Sequence, residues 1–256
     1  MLQNAYLSAA LERIASTRPL IHHMTNLVVA SVTANLTLAM GGLPIMASAK
    51  EEVEEIVSKS SVLLLNIGTP TSEQLEAMER AGSMAKELKI PIVFDPVGAG
   101  ASRFRTKAAI DLIRELQPSV VRSNLAEALS LLQEDARILG VESLEDDEET
   151  AKRAARGLAT RFDCVAAITG KVDIVSDGEN VGRITGGNPL LKSITGSGCM
   201  ATTAVACFLA KDTPIKAAVL GLSLIKTASE LALEVKGPGS FQVSLLDAVY
   251  RLREGL

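Results

Sequence analysis

Residues Ser193 to Ala210 read SITGSGCMATTAVACFLA, a glycine-rich loop that runs through Cys199 into small and apolar residues. A glycine loop entering a helix N-terminus offers unpaired backbone N–H groups and the positive end of the helix dipole, which together favour an anion. A cysteine in that place faces the anion as nucleophile, base, metal ligand or small packing residue. The helix end is expected to lower the thiol pKa below its free value of about 8.5, which would make Cys199 a modest proton acceptor.

Four further segments put polar residues where an apolar run stops: Thr25 and Asn26, DPVGAGA from Asp95 to Ala101, RSNLAE from Arg122 to Glu127, and TGKVD from Thr169 to Asp173. Ligands of open parallel sheets bind beyond the carboxyl ends of the strands, so chemistry is expected at these edges. A strand-end carboxylate leading into a glycine-rich turn can hold a metal ion beside a phosphate whose oxygens meet backbone N–H groups. Asp95 as a plain turn cap explains the same residues. Asn124 and Glu127 share a face at a helix start, where a capping box is the structural alternative to a metal-side role.

Other familiar signatures fail. GSGCMA fits the permissive dinucleotide fingerprint only in letters, since it lies late in the chain and leads into helix rather than a βαβ unit. Gly170-Lys171 lacks the earlier glycine and the following Ser or Thr of a Walker A loop, and a phosphatase-like Arg six positions after Cys199 is replaced by Val205. Cys164, Cys199 and Cys207 have no Cys-x-x-Cys spacing, and the only histidines, His22 and His23, are adjacent, so neither disulfides nor a zinc site is expected. The two histidines read as hydrogen-bonded packing residues.

The elements that must carry these groups follow from periodicity. Strands are expected at Leu20–Met24, Leu43–Ala47, Val62–Ile67, Ile92–Phe94, Val120–Arg122 and Val165–Thr169, many of them unbroken apolar runs suited to a sheet covered on both faces. Helices are expected at 4–16, Val28–Met40, Glu51–Ser58, Ser72–Leu88, Thr106–Leu116, Leu125–Gln133 and Glu148–Leu158, giving right-handed crossovers in a doubly wound layer. One hairpin is expected, Asp173–Ser176 with Val181–Thr185 around the Asp-Gly of DGEN. Helix follows from Gly198, then Thr213–Val235 as one or two helices, then Ser240–Leu252. The acidic run Glu145–Thr150 reads as a solvated helix start, with Glu148/Lys152 and Glu149/Arg153 at i,i+4 spacing.

The 256 residues, 47% hydrophobic and 22% charged, describe an ordinary globular chain with no linker or repeat, hence one domain over 1–256. A net charge of −4 without a basic stripe argues against nucleic acid and anionic membrane as partners. The first residues lack a secretory h-region and no apolar stretch approaches the roughly 20 residues of a membrane span, so a cytoplasmic location is expected.

Taken together, PLIHHMTNLVVASVTANLTLAMGGLPIMASAKEEVEEI, LLLNIGT, PIVFDPVGAGASRFRT, RSNLAEALSL, AITGKVDIVSDG, ITGSGCMATTAVACFLA and KGPGSFQVSLLDAVY, in that order from residue 19 to about 252, resemble hydroxyethylthiazole kinases. The resemblance implies a single-domain α/β fold like that of the ribokinase superfamily, a central, mostly parallel sheet flanked by helices on both faces, without a separate lid domain. It implies ATP-dependent phosphorylation of the hydroxyl of 4-methyl-5-(2-hydroxyethyl)thiazole in thiamine salvage, with Mg²⁺, by a homotrimer whose thiazole pocket lies at a subunit interface. Carried over residue by residue, it implies thiazole contacts from Asn26, Met46 and Gly196, ATP contacts from Arg122 and Thr169, and ordering of Mg²⁺ and its waters by Asp95, Asn124 and Glu127. Gly196 and Gly198 would supply the anion hole. Ribokinase-like enzymes usually end this loop in Gly-x-Gly-Asp; the cysteine here, as in the thiazole kinases, leaves a base role for Cys199 open. A kinase of another small heterocyclic alcohol, or a binding protein without turnover, are the alternative readings.

Overall fold

Six apolar runs become neighbouring parallel strands; the five inner ones are buried from both sides, whereas the edge run Leu43–Ile45 is half-buried. The computed structural model describes residues 4–132 and 148–256. Its strands are β1 (Leu20–Met24), β2 (Leu43–Ile45), β3 (Val62–Asn66), β4 (Ile92–Asp95), β5 (Val120–Asn124), β6 (Val165–Thr169), β7 (Asp173–Ser176) and β8 (Val181–Ile184). They form one sheet in the order β2-β1-β3-β4-β5-β6-β7-β8, parallel through β6 and antiparallel at β6–β7 and β7–β8.

Helices cover both faces, as expected. Val62 and Leu64 of β3 join a core with α1 (Asn4–Thr17), α2 (Ala30–Ala39), α8 (Ser197–Leu209), α9 (Pro214–Glu230) and α10 (Pro238–Glu254). Leu63 and Leu65 join the opposite core with α3 (Val53–Ser58), α4 (Ser72–Glu87), α5 (Arg103–Leu116), α6 (Leu125–Leu132) and α7 (Glu148–Phe162). The period-two alternation of a strand makes one continuous apolar run serve two cores.

The differences from the sequence expectation have local causes. β2 stops at Ile45, which leaves Met46 and Ala47 in the loop beyond it. β4 and β5 run on to Asp95 and Asn124, so the polar residues end the strands rather than follow them. α5 begins at Arg103 rather than Thr106 because the Ser102 hydroxyl accepts the Arg105 N–H at 3.2 Å. Pro214 and Pro238 occupy first-turn positions and open α9 and α10; α9 is one helix ending at Glu230. A second hairpin, β6–β7, adds to the one expected: the Asp173 carboxylate accepts the Gly170 N–H at 2.9 Å and closes the turn. Gln133 and residues 145–147 of the acidic run lie outside the described residues. Glu148 pairs with Lys152 at 2.8 Å and also with Arg183 across to β8 at 2.7 Å.

The paired histidines are structural. The His22 Nε2 lies 2.8 Å from the Ala47 carbonyl oxygen, and the His23 Nε2 lies 3.1 Å from the Thr37 hydroxyl. Burial lowers both, His23 to about 3, so neither carries charge at neutral pH. Among the described residues no helix is long and apolar enough to cross a membrane.

Candidate active site

The carboxyl ends of β3, β4 and β5 converge beneath the N-terminus of α8. Asp95, fully buried at the end of β4, is the hub. Its Oδ2 accepts from the Thr202 hydroxyl at 2.6 Å and from the Asn66 amide at 3.2 Å, and the Arg122 Nη1 lies 3.6 Å away. Its Oδ1 is buried without a partner in the chain. Burial raises the carboxyl to about 6; Glu127 pushes the same way, while Arg122 and Thr202 oppose.

Arg122 reaches across from β5. Its Nη2 donates to the Thr169 hydroxyl at the end of β6, and Thr169 in turn donates to the Ser123 carbonyl at 3.3 Å. Two glycines let the start of α8 pack closely, one against Val29 and one against this guanidinium. Gly196 caps the helix at φ +84°, where a β-carbon would also strike Val29 Cγ1 at 2.6 Å. A β-carbon on Gly198 would lie 2.5 Å from the Arg122 Nη1. The first intrahelical bond runs from the Met200 N–H to the Gly196 carbonyl, so the N–H groups of Ser197, Gly198 and Cys199 precede the ladder. A 210 Å³ pocket opens here, bounded by Arg122, Thr169, Gly198 and Lys226 with Leu191 and Leu222. A guanidinium and helix-end N–H groups together with aliphatic side chains suit a phosphorylated ligand with an apolar body.

Cys199 departs from its expectation. The thiol is buried, with its Sγ 3.2 Å from the Asn66 amide nitrogen and 3.8 Å from that of Asn26. Burial, reinforced by the neighbouring Asp95, pushes it up to about 11 rather than down. Desolvation therefore outweighs the helix end, and the group is a neutral thiol at pH 7.

Asn124 and Glu127 form the reciprocal cap of α6: the Asn124 Oδ1 accepts the Glu127 N–H, and the Glu127 Oε2 accepts the Asn124 N–H, both at 2.8 Å. The Glu127 Oε1 accepts from the Gly98 N–H at 3.0 Å and so ties the glycine turn after β4 to α6. Among the described residues no three His, Cys, Asp or Glu side chains gather as a metal cage. The set still fits Mg²⁺, which needs only one or two carboxylates besides waters and substrate phosphates. The unpartnered Oδ1 of Asp95 is the oxygen available for it, with Glu127 close enough to raise Asp95.

Asn26 joins the cluster, donating to the Asn66 Oδ1 at 2.8 Å. Met46 does not stand with it in the sheet: it follows the edge strand β2, three strands from β4, and is 41% exposed. Asn66 and Thr202 escaped sequence reasoning. Asn66 ends a buried strand in LLLNIGT, the same strand-end signal that marks Asp95, and Thr202 stands three residues after Cys199 on the same helix face.

The chain resembles known proteins over nearly its whole length. The pattern of the hydroxyethylthiazole kinase family matches residues 11–255. The chain belongs to that family. It is 47% identical over 251 residues to hydroxyethylthiazole kinase of Roseiflexus sp. (strain RS-1), covering 97% of this chain and 93% of that protein. Hydroxyethylthiazole kinase of Desulfatibacillum aliphaticivorans is 44% identical over the same shares. The solved structure of the hydroxyethylthiazole kinase protein from Pyrococcus horikoshii OT3 superposes with a TM-score of 0.88 at 38% identity, covering 96% of this chain and 93% of that one. A pyridoxal kinase from Staphylococcus aureus, at TM-score 0.64 and 16% identity over 85% of this chain and 89% of that one, shares the ribokinase-like fold. The chain thus shares one fold with a hydroxyethylthiazole kinase protein and, at much lower identity, with a pyridoxal kinase.

Proposed function

We propose that the chain transfers the terminal phosphoryl group of ATP to the hydroxyl of 4-methyl-5-(2-hydroxyethyl)thiazole, giving the thiazole phosphate and ADP in thiamine salvage in the cytoplasm. The observation that carries this reading is the meeting of Asp95, Arg122, Thr169 and the Gly196–Cys199 N–H groups at one helix end, in a chain of this family. The substrate oxygen forms a bond to phosphorus as the bond to the ADP oxygen breaks, and the hydroxyl proton leaves to solvent or phosphate. Mg²⁺, when bound, would offset negative charge on the phosphate oxygens; Asp95 would hold it, with Glu127 nearby. Arg122 neutralises charge on the transferred group, and the α8 N–H groups meet its oxygens. Thr169 orients the guanidinium, and the apolar walls exclude water.

A loose transition state needs alignment more than a strong base. Cys199 is therefore a packing and hydrogen-bonding residue beside the acceptor site. Cys199→Ala is expected to lower kcat by less than about tenfold with KM unchanged, whereas a loss in the 10²–10⁴ range of general-base terms would restore the thiol as base. Steady-state kinetics with saturating ATP checks this.

The thiazole contacts of Asn26, Met46 and Gly196 belong to the same reading. Leu27, Val28 and Met46, 86%, 65% and 41% exposed, support an acceptor site completed by another copy of the chain in a homotrimer. Light scattering is expected to give a three-chain mass. Release of ADP from ATP that depends on the thiazole alcohol tests the function itself.

A further inference from the structure

Lys226 is buried on α9 and lines the same pocket as Arg122 and Thr169. Its ammonium is ringed by four oxygens: the carbonyls of Gly170, Lys171 and Gly186 at 3.3, 3.1 and 3.2 Å, and the Asp173 carboxylate at 3.3 Å. Gly170 and Lys171 form the β6–β7 turn directly after Thr169, whereas Gly186 lies on the far side of the hairpin, on the way to the glycine loop. The same helix holds the next two residues. The Glu230 carboxylate accepts the Gly187 N–H at 2.7 Å, and the Ser229 hydroxyl accepts the Asn188 N–H at 2.9 Å. A β-carbon on Gly187, at φ +95°, would press on Lys226 Cγ at 3.2 Å, so the chain passes tightly over the lysine stem.

We propose that Lys226 is a positioning residue for the nucleotide site: its ammonium ties the β6–β7 turn and the 186–188 segment to α9, fixing a wall of the pocket that Arg122 also lines. Three ammonium protons are spent on backbone carbonyls and one carboxylate, so the lysine acts through the turn it holds rather than on phosphate. Without it, Thr169 and the approach to Gly196 lose their common anchor, and ground-state binding of ATP suffers before the chemical step does.

The inference rests on the ATP-dependent reading above, and its test separates the two. Binding of a non-hydrolysable ATP analogue is measured by calorimetry, without any acceptor, for the wild-type chain, Lys226→Ala and Asp173→Asn; kinetics with the thiazole alcohol follow. Lys226→Ala is expected to weaken analogue binding at least tenfold and to raise KM for ATP at least three times more than it lowers kcat. Methylammonium or ethylammonium chloride should restore much of the binding, whereas tetramethylammonium chloride at equal ionic strength should not. Asp173→Asn, which keeps the side-chain size and an acceptor for Gly170, is expected to weaken binding threefold or more, and it decides the matter if Lys226→Ala does not fold. The inference is overturned if the folded variants bind within twofold of wild type, or if Lys226→Ala loses kcat and affinity equally with no rescue by small amines. A wild-type chain that binds no ATP analogue overturns the nucleotide reading and this inference with it.

Discussion

Arg122→Ala is expected to lower kcat/KM for ATP about 10³-fold, roughly 4 kcal/mol of transition-state stabilisation, the upper range for removing one oriented donor from a developing anion. In the proposed reaction Arg122 neutralises the transferred group, and it lies against Gly198 and Thr169, so its loss removes that charge and its organising contact while Lys226 stays tied to the β6–β7 turn. The substitution also leaves Asp95 buried without its cation. Because Asp95 already titrates near 6 with Arg122 present, its loss moves the carboxyl further up, and at pH 7 the group takes a proton instead of standing charged. The variant is therefore expected to fold, with a stability loss smaller than the roughly 3–5 kcal/mol of an uncompensated buried charge. Arg122→Lys should recover about tenfold of the rate, since a point charge restores sign but not the planar fork. Kinetics at saturating thiazole alcohol together with thermal melting separate these effects; an Arg122→Ala enzyme within tenfold of wild type removes Arg122 from the site.

Gly198→Ala is expected to lower kcat about 100-fold while leaving the melting temperature equal or higher. The added methyl group would sit 2.5, 2.6 and 2.8 Å from the Arg122 Nη1, Nη2 and Cζ, so the guanidinium must move by about 1 Å, a displacement that commonly costs about 10² in rate. The Arg122 head is the end of a side chain, yet its bonds to Thr169 and Asp95 oppose that shift. Ala is a better helix former than Gly by up to about 1 kcal/mol, so the backbone of α8 gains what the site loses. Falling activity with undiminished stability distinguishes a displaced guanidinium from a damaged fold. Unchanged kcat would mean that the position of Arg122 does not govern the rate.

Much of this arrangement was legible in the chain because strand ends announce themselves. An apolar run stopping at Asp95, Arg122 or Thr169, and a glycine loop opening α8, each point to the sheet edge where ligands bind. What the runs do not reveal is which neighbours lie across that edge. Asn66 bonds to Asp95, Cys199 and Asn26, residues from three other elements, and nothing in its own strand forecasts that company. Thr202 is similarly defined by a partner on another element.

Cys199 shows the limit in energetic form. A helix N-terminus favours a thiolate, and that rule was available from sequence; the burial that reverses it, with Asp95 beside the sulfur, exists only in the folded chain and outweighs the opposing hydrogen bonds from Asn66 and Asn26. Asn124 and Glu127 carry the opposite lesson, since their spacing allowed either a metal-side pair or a cap, and their own backbone groups satisfy the cap. In TGKVD the sequence shows Asp173 opening a strand, as it does, but not that its carboxylate also closes the β6–β7 turn and meets Lys226.

The proposed reaction is acceptor-dependent phosphoryl transfer to the thiazole alcohol at the α8 end. Its most direct measurement is coupled ADP release by the purified chain with ATP and Mg²⁺, comparing 4-methyl-5-(2-hydroxyethyl)thiazole with pyridoxal, a hydroxymethylpyrimidine and no acceptor, and identifying the phosphorylated product by mass. The predicted result is one phosphate on the thiazole alcohol, one ADP per product, and a kcat/KM for that acceptor at least about 100-fold above the others, a margin on the scale set by several pocket contacts. Equal or greater turnover of pyridoxal or the pyrimidine, ADP release indifferent to acceptor, or no turnover by a folded enzyme would contradict it.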